Sequence, residues 1–202
     1  MFELSSYSLI VFAHVASAMT LVGHSLGSPL VHAMIRDARS LPALRAWLDF
    51  ARQSARWNPA AALVLLGSGV YLGSAGWWSQ AWFHVAVAAW VVNLLLAALV
   101  VKRSAAALGM AAARAGDGPV PDDVDRLRRL PGWAAAARTM LANDLAILYV
   151  MIGKPSLVES LAVMAMANAV LLGLSLVRTR IGAANVSPWA VPDRDALQRP
   201  AR

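Results

Sequence analysis

From Tyr7 to Ile35 the chain carries no Lys, Arg, Asp or Glu. A transmembrane helix needs about 20 mostly apolar residues to cross roughly 30 Å of hydrocarbon at about 1.5 Å per residue, so this run is long enough to cross with tilt. Four more runs have the same character: 58–74, 80–101, 133–152 and 156–177. Asn58-Pro59 opens the second as a helix start, and Gly153-Lys154-Pro155 separates the last two. The predicted fold is all-α, an integral membrane bundle of five transmembrane helices, four plus one C-terminal. Residues 1–182 form its single domain, and 183–202 a poorly ordered cytoplasmic tail rich in proline and mixed charge.

Charge decides the orientation. The composition is 59% hydrophobic and 14% charged, with a net charge of +7. Every Lys and Arg except Lys154 lies at 36–56, at 102–138 or beyond 177. With five spans these three regions share one side, which the positive-inside rule makes cytoplasmic. The N-terminus is then outside and the C-terminus cytoplasmic, so the basic balance records membrane orientation and no nucleic-acid partner is expected. Met1 to Ser6 holds only Glu3, unlike the basic start of a signal peptide, so the first helix is expected to remain as an anchor. Trp77, Trp78 and Trp82 fit an outer aromatic belt, with Trp57 and Trp133 at the inner boundary. Residues 40–56 read either as an amphipathic helix on anionic headgroups or as a solvated linker helix. Gly116 to Pro121 reads as a linker, with a short helix from Asp122 to Arg129. Without cysteine, disulfides and thiolate metal sites are excluded.

Ionisable residues inside a bilayer are costly and mark functional sites by default. By helical rise, His14 lies about 10 Å from the outer end and His84 about 6 Å, so the two histidines can meet in the outer leaflet, at the level of Lys154 and Glu159. His24 and Asp144 belong to the inner half. Asn143, His24 or a bound cation are the partners available to the Asp144 carboxylate. His14, His84 and Lys154 are the candidate haem b contacts, and His14 and His84 the candidate metal ligands. His24, Asp144 and Glu159 form a possible polar relay. Gly23, Gly27, Gly69 and Gly73 have the spacing that lets helices, or a flat macrocycle, approach closely. Met140, Met151, Met164 and Met166 suit Cu(I) or ordinary core packing.

His14 with the small residues up to Gly23, the glycine-rich second helix and the stretch Tyr149-Val150-Met151-Ile152-Gly153-Lys154-Pro155 resemble a group of small bacterial membrane proteins. A first-helix histidine and a Met-x-x-Lys-Pro ending recur in that group. It includes an uncharacterised integral membrane family and the membrane domain of copper-resistance protein D, and the small membrane protoporphyrinogen oxidase of haem synthesis is distantly similar. The resemblance implies a compact helical bundle, with His14 and Lys154 as haem b contacts in oxidase-like members or copper movement in the others. This sequence has Thr20-Leu21-Val22 before Gly23, where the group often has an aromatic residue, and adds an apolar helix after Pro155.

The functional expectation is a protein of the bacterial inner (plasma) membrane that binds haem b in the outer leaflet. It would act in electron transfer with quinone or a redox partner protein, as a haem-dependent oxidoreductase or redox subunit. A metal- or proton-coupled permease, or a copper-handling protein, is the alternative. A non-catalytic structural subunit of a larger complex, or a homo-oligomer, is the third.

Overall fold

The computed structural model describes residues 5–74 and 76–184, with side chains described as far as Leu174. The tail expected over 183–202 falls outside the described residues from 185 onward. The elements are α1 (Ser6–Asp37), α2 (Leu41–Ala55), α3 (Asn58–Gly73), a 3-10 turn (Trp77–Ser79), α4 (Ala81–Leu96), a π-helical turn (Ala97–Val101), α5 (Lys102–Arg114), α6 (Asp122–Arg128), α7 (Pro131–Gly153) and α8 (Leu157–Ala184). Among the described residues there is no strand, only an isolated bridge between Ser40 and Pro119.

Four helical stretches are long and apolar enough to cross a membrane: Ser6–Asp37, Ala81–Arg114, Asp122–Gly153 and Leu157–Leu174. The fifth expected span is α3, whose 16 residues make about 24 Å of helix, short of the roughly 30 Å of hydrocarbon. It nevertheless packs extensively along α1. Large apolar side chains such as Phe12, Met19, Leu63, Ile152, Val158 and Met166 stay exposed on the bundle exterior. An apolar surface of this extent belongs in contact with lipid.

Helix α7 is the hub. It packs against α1, α4 and α8, while the main partners of α1 are α3 and α7. The N-termini of α4 and α8 and the C-termini of α3 and α7 gather at one end. Trp82, Phe83, Ala86 and Val150 form its core, with Trp77, Met151 and Met164 packed around them. Trp82 is 4% exposed. This corrects the belt expectation: the first turn of α4 points its ring inward, against Phe83 and Trp77, while Trp78 remains accessible. Gly73 lies where a Cβ would stand 2.9 Å from Trp78 Nε1 and 3.1 Å from Phe83 Cζ. Gly73→Ala is therefore expected to lower stability by about 1–3 kcal/mol through overpacking. Gly69→Ala meets the His14 ring at ordinary contact distances, Cε1 at 3.4 Å and Nδ1 at 3.8 Å, and should be close to neutral; thermal unfolding of the two variants in detergent checks the contrast.

At the opposite, arginine-rich end the helices expected over 40–56 and from Asp122 are present as α2 and α6, and they pack into a core of their own. Ile35, Leu41, Leu44, Leu108, Ala112, Val124 and Trp133 form that core, drawn from α1, α2, α5, α6 and α7. Trp133 was expected at a headgroup boundary, yet it is buried edge-on against His32 with ring centroids 4.8 Å apart. Helix α2 turns Leu41 and Leu44 into that core and leaves Trp47 and Phe50 exposed, so it is neither a free linker nor wholly a surface helix. The Gly116 to Pro121 stretch is pinned as well: Leu41 N donates to Gly118 O at 2.9 Å. Two arginines close helix ends there, since the last carbonyls of a helix lack internal donors. Arg45 donates to the carbonyls of Ala112, Ala115 and Gly116 at the end of α5 and to Asp117. Arg128, 6% exposed, donates to the carbonyls of Ile35 and Ala38 at the end of α1 and to Asp125.

Candidate intramembrane site

The helices bring the expected residues to different places. His14 sits between α1 and α3, its Nδ1 3.0 Å from Ser68 Oγ, with Gly69 opposite its ring edge. Because Ser68 Oγ also donates to the carbonyl of Val64, its proton is committed and the hydroxyl serves His14 as an acceptor. His84 belongs to α4, where Nδ1 lies 3.0 Å from the carbonyl of Gln80. A carbonyl only accepts, so Nδ1 carries a proton, and in the neutral imidazole it is Nε2 that keeps the lone pair. Equal depth did not make the two histidines neighbours, because α1 and α4 reach each other mainly through α7.

Lys154 ends α7 in the left-handed region at φ 47°, with its N–H on the carbonyl of Val150 at 2.9 Å. Its Nζ stands 5.1 Å above the Trp77 ring and 5.9 Å from that of Trp82, so the ammonium rests on aromatic faces. Glu159 serves the next helix. Its carboxylate accepts from the N–H and hydroxyl of Ser156 at 2.9 Å each, and Ser156 Oγ accepts from the Glu159 N–H at 3.4 Å. This reciprocal capping box starts α8 and accounts for Glu159 without a relay.

Asp144 lies in a chain of hydrogen bonds across four helices. Ser25 on α1 donates to Oδ2 at 2.5 Å, and Asn93 on α4 donates to Oδ1 at 2.7 Å. Asn143 on α7 donates to Asn93 Oδ1 at 2.9 Å, and Asn168 on α8 donates to Asn143 Oδ1 at 2.8 Å. The amides point the same way: each donates toward the carboxylate. Of the partners considered from sequence, Asn143 joins through Asn93. His24 stands apart from the carboxylate in the bundle's inner half, where it lines a small cavity with Ser25, Ser28, Val101, Ala137 and Met140. Ser25, Asn93 and Asn168 were not singled out from the sequence. A polar side chain alone within an apolar run was the signal that could have found them.

On the α8 side the chain opens into a groove of about 660 Å³ between α4, α7 and α8. Its walls include His84, Thr139, Asn143, Met164 and Asn168 among alanines and aliphatic residues. The volume is in the range of small-molecule and cofactor sites, roughly 300–1,000 Å³. Of the methionines, Met140 lines the small cavity and Met164 the groove, while Met151 and Met164 pack around the same aromatic core as ordinary packing residues. Among the described residues no group of three or more His, Asp or Glu is placed to hold a metal ion. Comparison with protein-family models, curated proteins and solved structures returns no match.

Proposed function

We propose that the chain is a bacterial inner-membrane protein of five crossings, N-terminus outside, that holds haem b in the groove between α4, α7 and α8. The observation that carries this reading is His84: its Nδ1 is held on a backbone carbonyl, and it lines the cofactor-sized groove. A hydrogen bond from the other ring nitrogen to a carbonyl fixes the tautomer and ring orientation of a ligating histidine. His84 would hold the iron through Nε2, and the alanines at 81, 88 and 89 would let a flat ring approach α4 closely. Two-histidine ligation with His14 does not fit, because His14 is packed against Ser68 and Gly69 on α3. Ligation by one histidine is a common haem arrangement. The group would supply one-electron chemistry, exchanged with quinone or a redox partner protein. The arginine-rich segments that cap one end of the bundle support the orientation, and α3 running back along α1 supports the fifth crossing.

The test is an absorption spectrum of protein purified after expression with adequate haem. A Soret band is expected in the parent, in His14→Ala and in Lys154→Ala, and its loss in His84→Ala. A parent protein without the band, or a band that depends on His14 and survives in His84→Ala, overturns the assignment.

A further inference from the structure

We propose that Asp144 is a reversible proton-binding site, loaded from the arginine-rich end through Ser25 and the small cavity beside it. This is independent of what the groove holds.

The cavity has a volume of about 30 Å³ and is lined by His24, Ser25, Ser28, Val101, Ala137 and Met140. About 10–15 Å³ in this measure accommodates one water, provided the walls offer it 2–4 polar partners. Imidazole and two hydroxyls meet that need. Pro29 adds to it: with no N–H, it removes the donor that would otherwise bond the carbonyl of Ser25 within α1. The cavity lies on the arginine-rich side of the carboxylate, since Ala137 precedes Asp144 on α7 by about 10 Å of helix. Its α4–α5 wall is Val101, the last residue of the π-helical turn Ala97–Val101. A single π turn inside an α-helix is frequent at functional sites.

Ser25 belongs to both the cavity and the carboxylate. Its hydroxyl donates to Asp144 Oδ2 at 2.5 Å. An excess proton on a cavity water can bond to Ser25 Oγ while the proton already on Ser25 passes to Asp144 Oδ2. The water is left neutral, the serine is unchanged in composition, and the carboxylate becomes a carboxylic acid that donates back to Ser25 Oγ. Release runs the same bonds in reverse. Asp144 Oδ1 keeps accepting from Asn93 throughout, so the amide chain to α8 holds the carboxyl in place in both states. The groups facing the site differ by side. His24 faces the cavity from α1, Lys102 follows Val101 on the π-turn side, and Arg138 follows Ala137 on α7. From α4 the facing group is Asn93, and from α8, among the described residues, it is Asn168.

The experiment is a pH-jump infrared difference measurement on the full chain in lipid nanodiscs, with aspartate carboxyls carrying ¹³C. Between about pH 6 and pH 9, a window above the titration of ordinary aspartates at about 3.9, one isotope-shifted protonated-carboxyl band is expected that is absent from Asp144→Asn. In Asp144→Glu the band should persist without the isotope shift, which keeps the assignment decidable if Asp144→Asn does not fold. Ser25→Ala should retain the band but slow its appearance by about tenfold or more, equivalent to at least ~1.4 kcal/mol of barrier. Ser25→Thr, which keeps a hydroxyl, should restore the rate. No Asp144-dependent band in that window, or loading of Ser25→Ala at the parent rate, overturns the proposal.

Discussion

Arg128→Ala is expected to lower the stability of the folded bundle by about 3 kcal/mol, the largest effect of any single arginine among the described residues. The guanidinium is buried, and it holds the Ile35 carbonyl at 3.2 Å, the Ala38 carbonyl at 2.5 Å and Asp125 Oδ1 at 2.5–2.8 Å. Truncation leaves the terminal carbonyls of α1 without donors in a site already closed by Ile35 and Trp133, and each orphaned group costs about 1–3 kcal/mol. Part of that penalty is relieved where water reaches the end of α1, and Asp125 keeps its bond to Arg129 at 2.7 Å. Arg128→Lys should recover less than half, because an ammonium cannot place two parallel donors on one oxygen of Asp125 and still reach the α1 carbonyls. Arg126 on the same helix is exposed and makes only a long bond to Asp122 O at 3.4 Å, so Arg126→Ala should fall within about ±0.5 kcal/mol. Thermal unfolding in a fixed detergent separates the three. Equal midpoints for Arg128→Ala and Arg126→Ala would show that α6 does not hold α1.

These arginines also mark where the sequence was readable and where it was not. The apolar runs 133–152 and 80–101 follow from hydropathy alone, and the structure has α7 at Pro131–Gly153 and a helix starting at Ala81. That second helix continues past Lys102 to Arg114, because a helix leaving the hydrocarbon can go on packing where partners exist. Charge counting assigns a side to each segment but treats each arginine alike. It cannot tell Arg128, bound to the end of α1 and to Asp125, from Arg126 in solvent. Depth was legible in the same one-dimensional way. His14 and His84 were placed near one end from the rise per residue, but the azimuth that turns one toward Ser68 and the other toward the groove depends on which helices are neighbours. The same arithmetic, applied to uncharged residues, reaches further. Asn93 lies about 20 Å along from Gln80, Asp144 about 15 Å back from Lys154, and Asn168 about 18 Å from Ser156. Three polar side chains therefore share one level measured from one end. Glu159 was readable too, as Ser156-x-x-Glu159 ahead of an apolar run.

That shared level makes Asn93 the residue through which the second large effect should pass. Its carboxamide donates to Asp144 Oδ1 at 2.7 Å and to the Met140 carbonyl at 3.2 Å, and accepts from Asn143 at 2.9 Å. Asn93→Leu removes all three at once. An average interhelical hydrogen bond within a membrane contributes only about 0.6 kcal/mol, since the separated helices find other partners. A carboxylate deprived of one of its two donors is a different case, because the remaining cost is that of the buried group itself, about 1–3 kcal/mol for an unsatisfied polar group and more for a charged one. The expectation for Asn93→Leu is accordingly about 3 kcal/mol, against about 1 kcal/mol or less for Asn168→Leu at the far end of the chain. If the orphaned carboxylate is the source, removing it as well must relieve the loss. Asn93→Leu combined with Asp144→Leu should then be less destabilised than the two single variants added together, by 1 kcal/mol or more on the scale typical of coupled neighbours, about 0.5–3 kcal/mol. Strict additivity in that cycle would mean that the amides pack α4 against α7 by shape alone and do not act on Asp144.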